Sequence, residues 1–469
     1  MKAILKNNFI KVLLLIICMA FILTGCATVS DIRNPDGSKI YFDDIVYFEG
    51  QIAVIGDYVY FGNSYTASDG DSFDYNAAAQ TGYMSRLNIG ATLQYNSEED
   101  EDGYVNPSPI GVEQVDDERL IGYQNQYMFA LGEYLYFTSA NTHRTSNLEN
   151  DYTQVSLFRV KFNGSGLQEI DTFRYDENSV ITAEKGSDGN YYYIIYSPTT
   201  SEAESYNLYS IKIGDRIGDT VTLAEDVNSV AVCDANSTIK NVVYTIDSER
   251  TDRETTAVKA VDFATGEIID YGNNTDVVGT TTTMLGRVGD IVIYSYIQYT
   301  EDNVCYKNLV TDDKYFSGGN AFHTLSPISN IQSAGDGYIF VSDTTSAVMY
   351  KSTLGTEVEA KRLLSSSDYT DILFVDGDYV YYSNDTSISR INVIDNRVQT
   401  MVTMTSIISG QCGYDGDYIY FYAQLENSSS DDEDTTTDTN YYMYRVDKTG
   451  ANSDGEYAIE LLSRVEKPE

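Results

Sequence analysis

Asp376-Gly377-Asp378-Tyr379-Val380-Tyr381-Tyr382 and, 39 residues on, Asp415-Gly416-Asp417-Tyr418-Ile419-Tyr420-Phe421 are two copies of one string. Its two halves have separate physical roles. The glycine between acids marks a tight turn, because glycine takes the positive φ that such turns often need. The β-branched and aromatic run that follows has the composition of a strand. That run is apolar at successive positions rather than at alternate ones, so both faces of the pleat need cover.

Working back from these copies, the string reads Gly56-Asp57-Tyr58-Val59-Tyr60-Phe61, Gly132-Glu133-Tyr134-Leu135-Tyr136-Phe137 and Gly189-Asn190-Tyr191-Tyr192-Tyr193-Ile194. Weaker forms stand at Asn241-Val242-Val243-Tyr244, Asp290-Ile291-Val292-Ile293-Tyr294 and Gly337-Tyr338-Ile339-Phe340. The first residues after the turn are 58, 134, 191, 242, 291, 338, 379 and 418, so the spacing falls from 76 to 39 along the chain. A four-stranded propeller blade needs about 40–50 residues. Each module carries a second run, as in Ser85-Arg86-Leu87-Asn88, Leu157-Phe158-Arg159-Val160, Leu208-Tyr209-Ser210-Ile211, Ile388-Ser389-Arg390-Ile391 and Met443-Tyr444-Arg445-Val446. Helical periodicity is hard to find beyond the N-terminal segment. Small sheets stacked face to face cover two-sided strands without one oversized core. The reading is therefore all-β, a single propeller over residues 40–466 with four-stranded antiparallel blades, eight in number, with seven as the alternative. The aromatic mass is tyrosine, 42 Tyr and 17 Phe with no Trp, and its stripes read as core. Ile40-Tyr41-Phe42 and Ile45-Val46-Tyr47 are candidates to complete the last blade and close the ring.

Tyr381-Tyr382-Ser383-Asn384 followed by Ile388-Ser389-Arg390-Ile391-Asn392 resembles the Tyr-Trp-Thr-Asp repeat of low-density-lipoprotein-receptor propellers. The chain is similar also to a family of receptor-like propeller domains in exported bacterial proteins. The resemblance spans about residues 40 to 466 and implies the propeller fold. The Trp is missing throughout, and most of the Thr-Asp pair with it, so the receptor's ligands do not carry over.

The N-terminus has three parts. Lys2, Lys6 and Lys11 precede Val12 to Leu23, an uncharged apolar run, and Leu23-Thr24-Gly25-Cys26 follows. A dozen apolar residues after a basic start is a signal-peptide core, since a membrane span needs about 20. The last four residues resemble the bacterial lipobox, which implies cleavage before Cys26 and a diacylglycerol thioether on its sulfur. Two acyl chains give stable anchoring. Residues 1–25 read as lipoprotein signal peptide and 26–39 as a lipidated tether. The expected location is the outer face of the cell membrane, or the outer membrane in a Gram-negative envelope. Removing residues 1–25 takes away three lysines and no acids, so 444 residues remain and the net charge moves from −41 to −44. That balance excludes nucleic acid, which calls for clustered Lys and Arg.

Catalytic chemistry finds little support. His143 and His323 are the two histidines, both in polar contexts, and no Gly-x-Ser-x-Gly elbow is present. Cys233, Cys305 and Cys412 match neither a disulfide framework nor a zinc site. Asp69-Gly-Asp71 with Asp74, Glu98 to Asp102 and Asp431 to Asp434 leave calcium as a weak candidate ligand, but none matches a known calcium loop. No cofactor, metal site or catalytic residue is assigned; Cys26 is the assigned site, by lipidation. Four loops after the repeated string are long, at 62–82, 139–153, 197–206 and 424–440, and in a closed ring they crowd one sector of one rim. Long loops on a rigid scaffold are where recognition tends to sit. The expected role is a non-enzymatic binding or scaffold module for an extracytoplasmic protein or a wall polysaccharide. The alternatives are a carbohydrate-active enzyme on the same fold and an envelope-assembly propeller lipoprotein.

Overall fold

A computed structural model describes residues 32–33, 37–48, 52–63, 83–89, 95–96, 108–109, 113–114, 128–140, 154–176, 178–200, 205–234, 236–247, 256–273, 282–298, 301–310, 314–316, 328–342, 347–353, 360–407, 412–424, 441–451, 455 and 457–465. Every copy of the repeated string forms the second strand of an antiparallel run. In the first sheet the order is Ile52–Ile55, Tyr58–Asn63, Tyr83–Asn88, Glu113–Gln114. The same up-and-down order recurs in the sheets centred on Tyr134–Ala140, Ile291–Gln298, Gly337–Ser342, Tyr379–Asn384 and Tyr418–Gln424. Among the described residues there is no helix.

The two-sided pattern of the strings is used residue by residue. Tyr60 packs toward the Tyr134 sheet with Phe137, Phe158 and Val160, whereas Val59 and Phe61 pack the other way, against Tyr420, Tyr422 and Met443 of the last sheet. Tyr381 likewise packs forward against Ile419 and Phe421, while Val380 and Tyr382 pack back against Ile339 and Val348. Further shared clusters join the Tyr134 and Tyr191 strands, the Tyr191 and Val242 strands, and the Val242 and Ile291 strands. The strand Thr282–Val288 lies beside Ile328–Ala334, which continues the series. The succession of packed faces therefore returns from the last sheet to the first, the arrangement of a β-propeller. The tyrosine stripes are core: Tyr60, Tyr136, Tyr193, Tyr381, Tyr420 and Tyr422 are fully buried.

Two features depart from uniform four-stranded blades. The strand Phe42–Phe48 adds to the inner edge of the Tyr134 sheet, with Phe42 opposite Gly132 and Phe48 opposite Met128, and makes it five-stranded. It does not complete the last sheet, whose described strands all come from residues 406–465. The physical reason lies just before it. Ile32 and Ile40 are buried in the cluster between the first two sheets, and this fixes the entry of the chain there. Gly56, at φ +59°, is what admits Ile40, since a Cβ at that position would lie 2.7 Å from the Ile40 Cδ1. The second departure is the twelve-residue strand Thr220–Ala231. Its first part pairs with Tyr206–Ile213 and its second with Val242–Asp247, fusing two runs into one seven-stranded sheet. The changeover is at Asp226, which takes a φ of 53° that a non-glycine residue rarely adopts.

Candidate functional site

The arginine downstream of the repeated string has a structural role. Arg86, Arg159, Arg390 and Arg445 stand opposite the second tyrosine of their strings, Tyr60, Tyr136, Tyr381 and Tyr420. Each guanidinium lies over the ring of the first tyrosine, with Arg159 4.3 Å from Tyr134, Arg390 4.5 Å from Tyr379 and Arg445 4.5 Å from Tyr418. In three sheets it then reaches a backbone carbonyl in the last turn of the next sheet. Arg86 Nη1 donates to Phe162 O at 2.9 Å, Arg159 Nη1 to Gly214 O at 2.5 Å and Arg390 Nη1 to Lys448 O at 3.3 Å. The Tyr60 hydroxyl donates to the same Phe162 carbonyl, and the Tyr136 hydroxyl to Gly214 O at 3.3 Å. The other edge of the guanidinium is held from the outer strand, by Gln168 for Arg159, Gln399 for Arg390 and Glu460 for Arg445. These acceptors are not singled out by the repeated string. Their signal in the sequence is Arg followed nine residues later by Gln, present in two modules.

The third module breaks the pattern. Ile211 replaces the arginine opposite Tyr193, and the fully buried Tyr193 hydroxyl has no hydrogen-bond partner among the described residues. Beside this interface, a cleft of about 460 Å³ opens between the Tyr134 and Tyr191 sheets. Its walls come from three places far apart in sequence: the N-terminal strand, the first turns at Gly132 and Gly189, and the last turn at Gly214–Arg216. Tyr191 fixes the N-terminal strand by donating from its hydroxyl to Asp43 O at 2.7 Å. Lys185 lies over the Tyr191 ring at 5.1 Å and 3.6 Å from Asp44. Its pKa is raised, first by the hydrogen bond to Tyr191 and then by the nearby Asp44 charge.

A second polar cluster is enclosed where the third, fourth and fifth modules meet. Burial pushes the Glu184 carboxyl up to about 7, against the opposing charge of Lys240 at 3.7 Å. Burial also pushes the Cys233 thiol up to about 12, which makes it a poor nucleophile at neutral pH. Arg287, whose side chain is wholly enclosed, donates to Asn241 O at 2.8 Å, Ile239 O at 2.6 Å and Gly289 O at 2.8 Å. This cluster ties neighbouring modules together, as the arginines of the repeats do. Cys233 and Cys412 are both buried. Among the described residues no group of three or more His, Cys, Asp or Glu is placed to hold a metal, and no helix is long and apolar enough to cross a membrane.

Cys26, His143, His323 and the three acidic runs lie outside the described residues. So do the centres of the long loops, but their roots are described. The loops spring from the pairs Asn63 and Tyr83, Ala140 and Val155, Pro198 and Tyr206, and Gln424 and Tyr441. In each sheet this is the same end of the second strand. The four sheets concerned are consecutive in the packing order that runs from the last sheet through the first.

No family model and no curated protein matches the chain. Several solved structures are similar to it at low identity. The Dos1 propeller is 11% identical with a TM-score of 0.39, over 81% of this chain and 91% of that one. TolB from Acinetobacter baumannii is 13% identical with a TM-score of 0.28, over 71% and 81% of the two chains. An oligogalacturonate lyase from Vibrio parahaemolyticus is 9% identical with a TM-score of 0.38, over 71% and 94%.

Proposed function

We propose that this chain is an eight-bladed, lipid-anchored propeller that binds an extracytoplasmic protein or wall polymer through its long-loop rim and carries out no chemistry there. The observation that carries the reading is the grouping of the four loop roots at one end of four consecutive sheets. Eight repeats of the string and eight second strands support the blade count, with the seven-stranded sheet taken as two blades joined through Thr220–Ala231.

The N-terminal strand supports an orientation as well. Phe42 pairs at the turn end of the Tyr134 sheet, opposite the end from which the loops leave. Ile32 is buried, and in sequence five residues, Ala27 to Asp31, separate it from Cys26. Five residues reach about 17 Å at most. A lipid on Cys26 then faces the turn rim toward the membrane, at the length of this tether, and turns the loop rim outward.

Replacing 64–82, 141–153 and 425–440 with two-residue turns, followed by crosslinking in cells and mass spectrometry, tests the assignment. Loss of the crosslinked partner with an unchanged melting temperature is expected. A partner retained by the loop-deleted protein would overturn it. Labelling with radioactive palmitate, abolished in Cys26→Ser, tests the anchor separately.

A further inference from the structure

On the rim opposite the long loops, we propose that the cleft between the Tyr134 and Tyr191 sheets binds a carboxylate-bearing sugar, such as a uronic acid unit of a polysaccharide. The inference depends neither on the lipid nor on the loop rim.

Charge is the first argument. The chain carries 71 acids against 30 Lys and Arg, yet two exposed cations, Lys212 and Arg216, line this one cleft. The arginines of the repeats are consumed by tyrosine rings and neighbouring carbonyls. Arg216, by contrast, makes no hydrogen bond or ion pair among the described residues. A guanidinium with its fork free is the group best shaped to take a carboxylate through two parallel hydrogen bonds.

Shape and aromatic content are the second argument. Tyr41 is 53% exposed, whereas nearly all the other described tyrosines are buried or half-buried, and its ring lies across Gly132. Tyr134 and Tyr191 are half-buried in the walls. An exposed phenol ring offers a flat apolar face with a polar edge, which suits the C–H face and hydroxyl rim of a pyranose. The volume, about 460 Å³, is within the range of small-molecule sites.

The acids choose between ligands. Asp43 and Asp215 share the lining with the two cations, so the cleft is not a simple anion trap. A bare inorganic anion would meet repulsion from both carboxylates and leave the tyrosines unused. A uronic acid uses all three groups: its carboxylate faces Arg216 and Lys212, its hydroxyls donate to the aspartates, and its ring covers Tyr41. A neutral sugar leaves the Arg216 fork unpaired. The chemistry of the lining therefore selects for charge and ring together.

Titration calorimetry of the purified protein with a glucuronate-containing disaccharide, a glucose disaccharide and inorganic phosphate tests the assignment. Saturable binding is expected for the first alone. Arg216→Gln and Tyr41→Ala should each weaken it by about tenfold, the size of one charge-assisted contact or one ring contact, and binding should fall with added salt. Both side chains are exposed, so both variants should keep the wild-type melting temperature. Equal affinity for the glucose disaccharide would overturn the role of the cations. Phosphate binding as tightly as the uronate, unchanged affinity in Tyr41→Ala, or absence of saturable binding would each overturn the sugar site.

Discussion

Replacing Arg159 by Met keeps the aliphatic stem and removes the fork that joins the second sheet to the third. The side chain is 6% exposed, so what it touches decides the cost. Gln168 is exposed and rehydrates when its donor leaves, so that bond adds little. The Gly214 carbonyl loses its charged donor and keeps the weaker Tyr136 hydroxyl at 3.3 Å. A hydrogen bond to a charged group is worth roughly 1.5–3 kcal/mol net, and the stacking over Tyr134 adds roughly 0.5–1 kcal/mol. Relief from holding a charge away from water offsets part of this. The balance is a loss of about 2–3 kcal/mol. A chain of this length unfolding as one unit has an unfolding entropy near 0.9 kcal/mol per kelvin, so the melting temperature should fall by about 2–3 °C. Scanning fluorimetry resolves that shift. Arg159→Lys should recover little of it, because an ammonium does not reproduce the fork. An unchanged melting temperature in Arg159→Met, or full recovery with Lys, would show that the guanidinium is not what joins these sheets.

The tyrosine opposite Ile211 predicts the reverse sign. Tyr193→Phe removes a buried hydroxyl that has no partner, so it should be neutral or raise stability by up to about 1 kcal/mol, whereas Tyr136→Phe should lower it by about 1 kcal/mol. Denaturant midpoints of the two variants, measured side by side, check the contrast; equal losses would refute it. Glu184 predicts a pH effect. Its folded pKa stands at about 7 against 4.5 for an unburied glutamate, so the folded chain holds a proton that the unfolded chain releases. This contribution is complete below about 4.5 and is lost as the pH rises through about 7. Glu184→Gln does not titrate, so its melting temperature relative to wild type should rise from pH 5 to pH 8. A difference that stays constant across that range would contradict the assignment.

Much of the fold is legible in the strings. Apolar residues at successive positions of Tyr58–Phe61 or Tyr379–Tyr382 say that both faces are covered, and both faces are. The arginines are visible in the second runs, but not that they reach into the following sheet, because their acceptors are backbone carbonyls that carry no residue signature. Phe42–Phe48 reads as a strand from its composition, yet its partner is settled by Ile32 and Ile40 fitting against Gly56, a tertiary contact with no periodicity. The cleft is illegible for the same reason. Tyr41, Gly132, Gly189 and Arg216 become neighbours only after two sheets and the N-terminal strand have packed.

Among the described residues, the first sheet is drawn from residues 52–114 and the last from 406–465, with no strand exchanged between them. The seam between them is therefore made of interdigitated side chains, Val59 and Phe61 against Tyr420, Tyr422 and Met443. Among the described residues, that seam has no shared latch whose removal would orphan a partner strand. Duplication or excision of one entire repeat leaves termini that still present matching apolar faces, so a lineage built this way is free to change circumference by whole repeats.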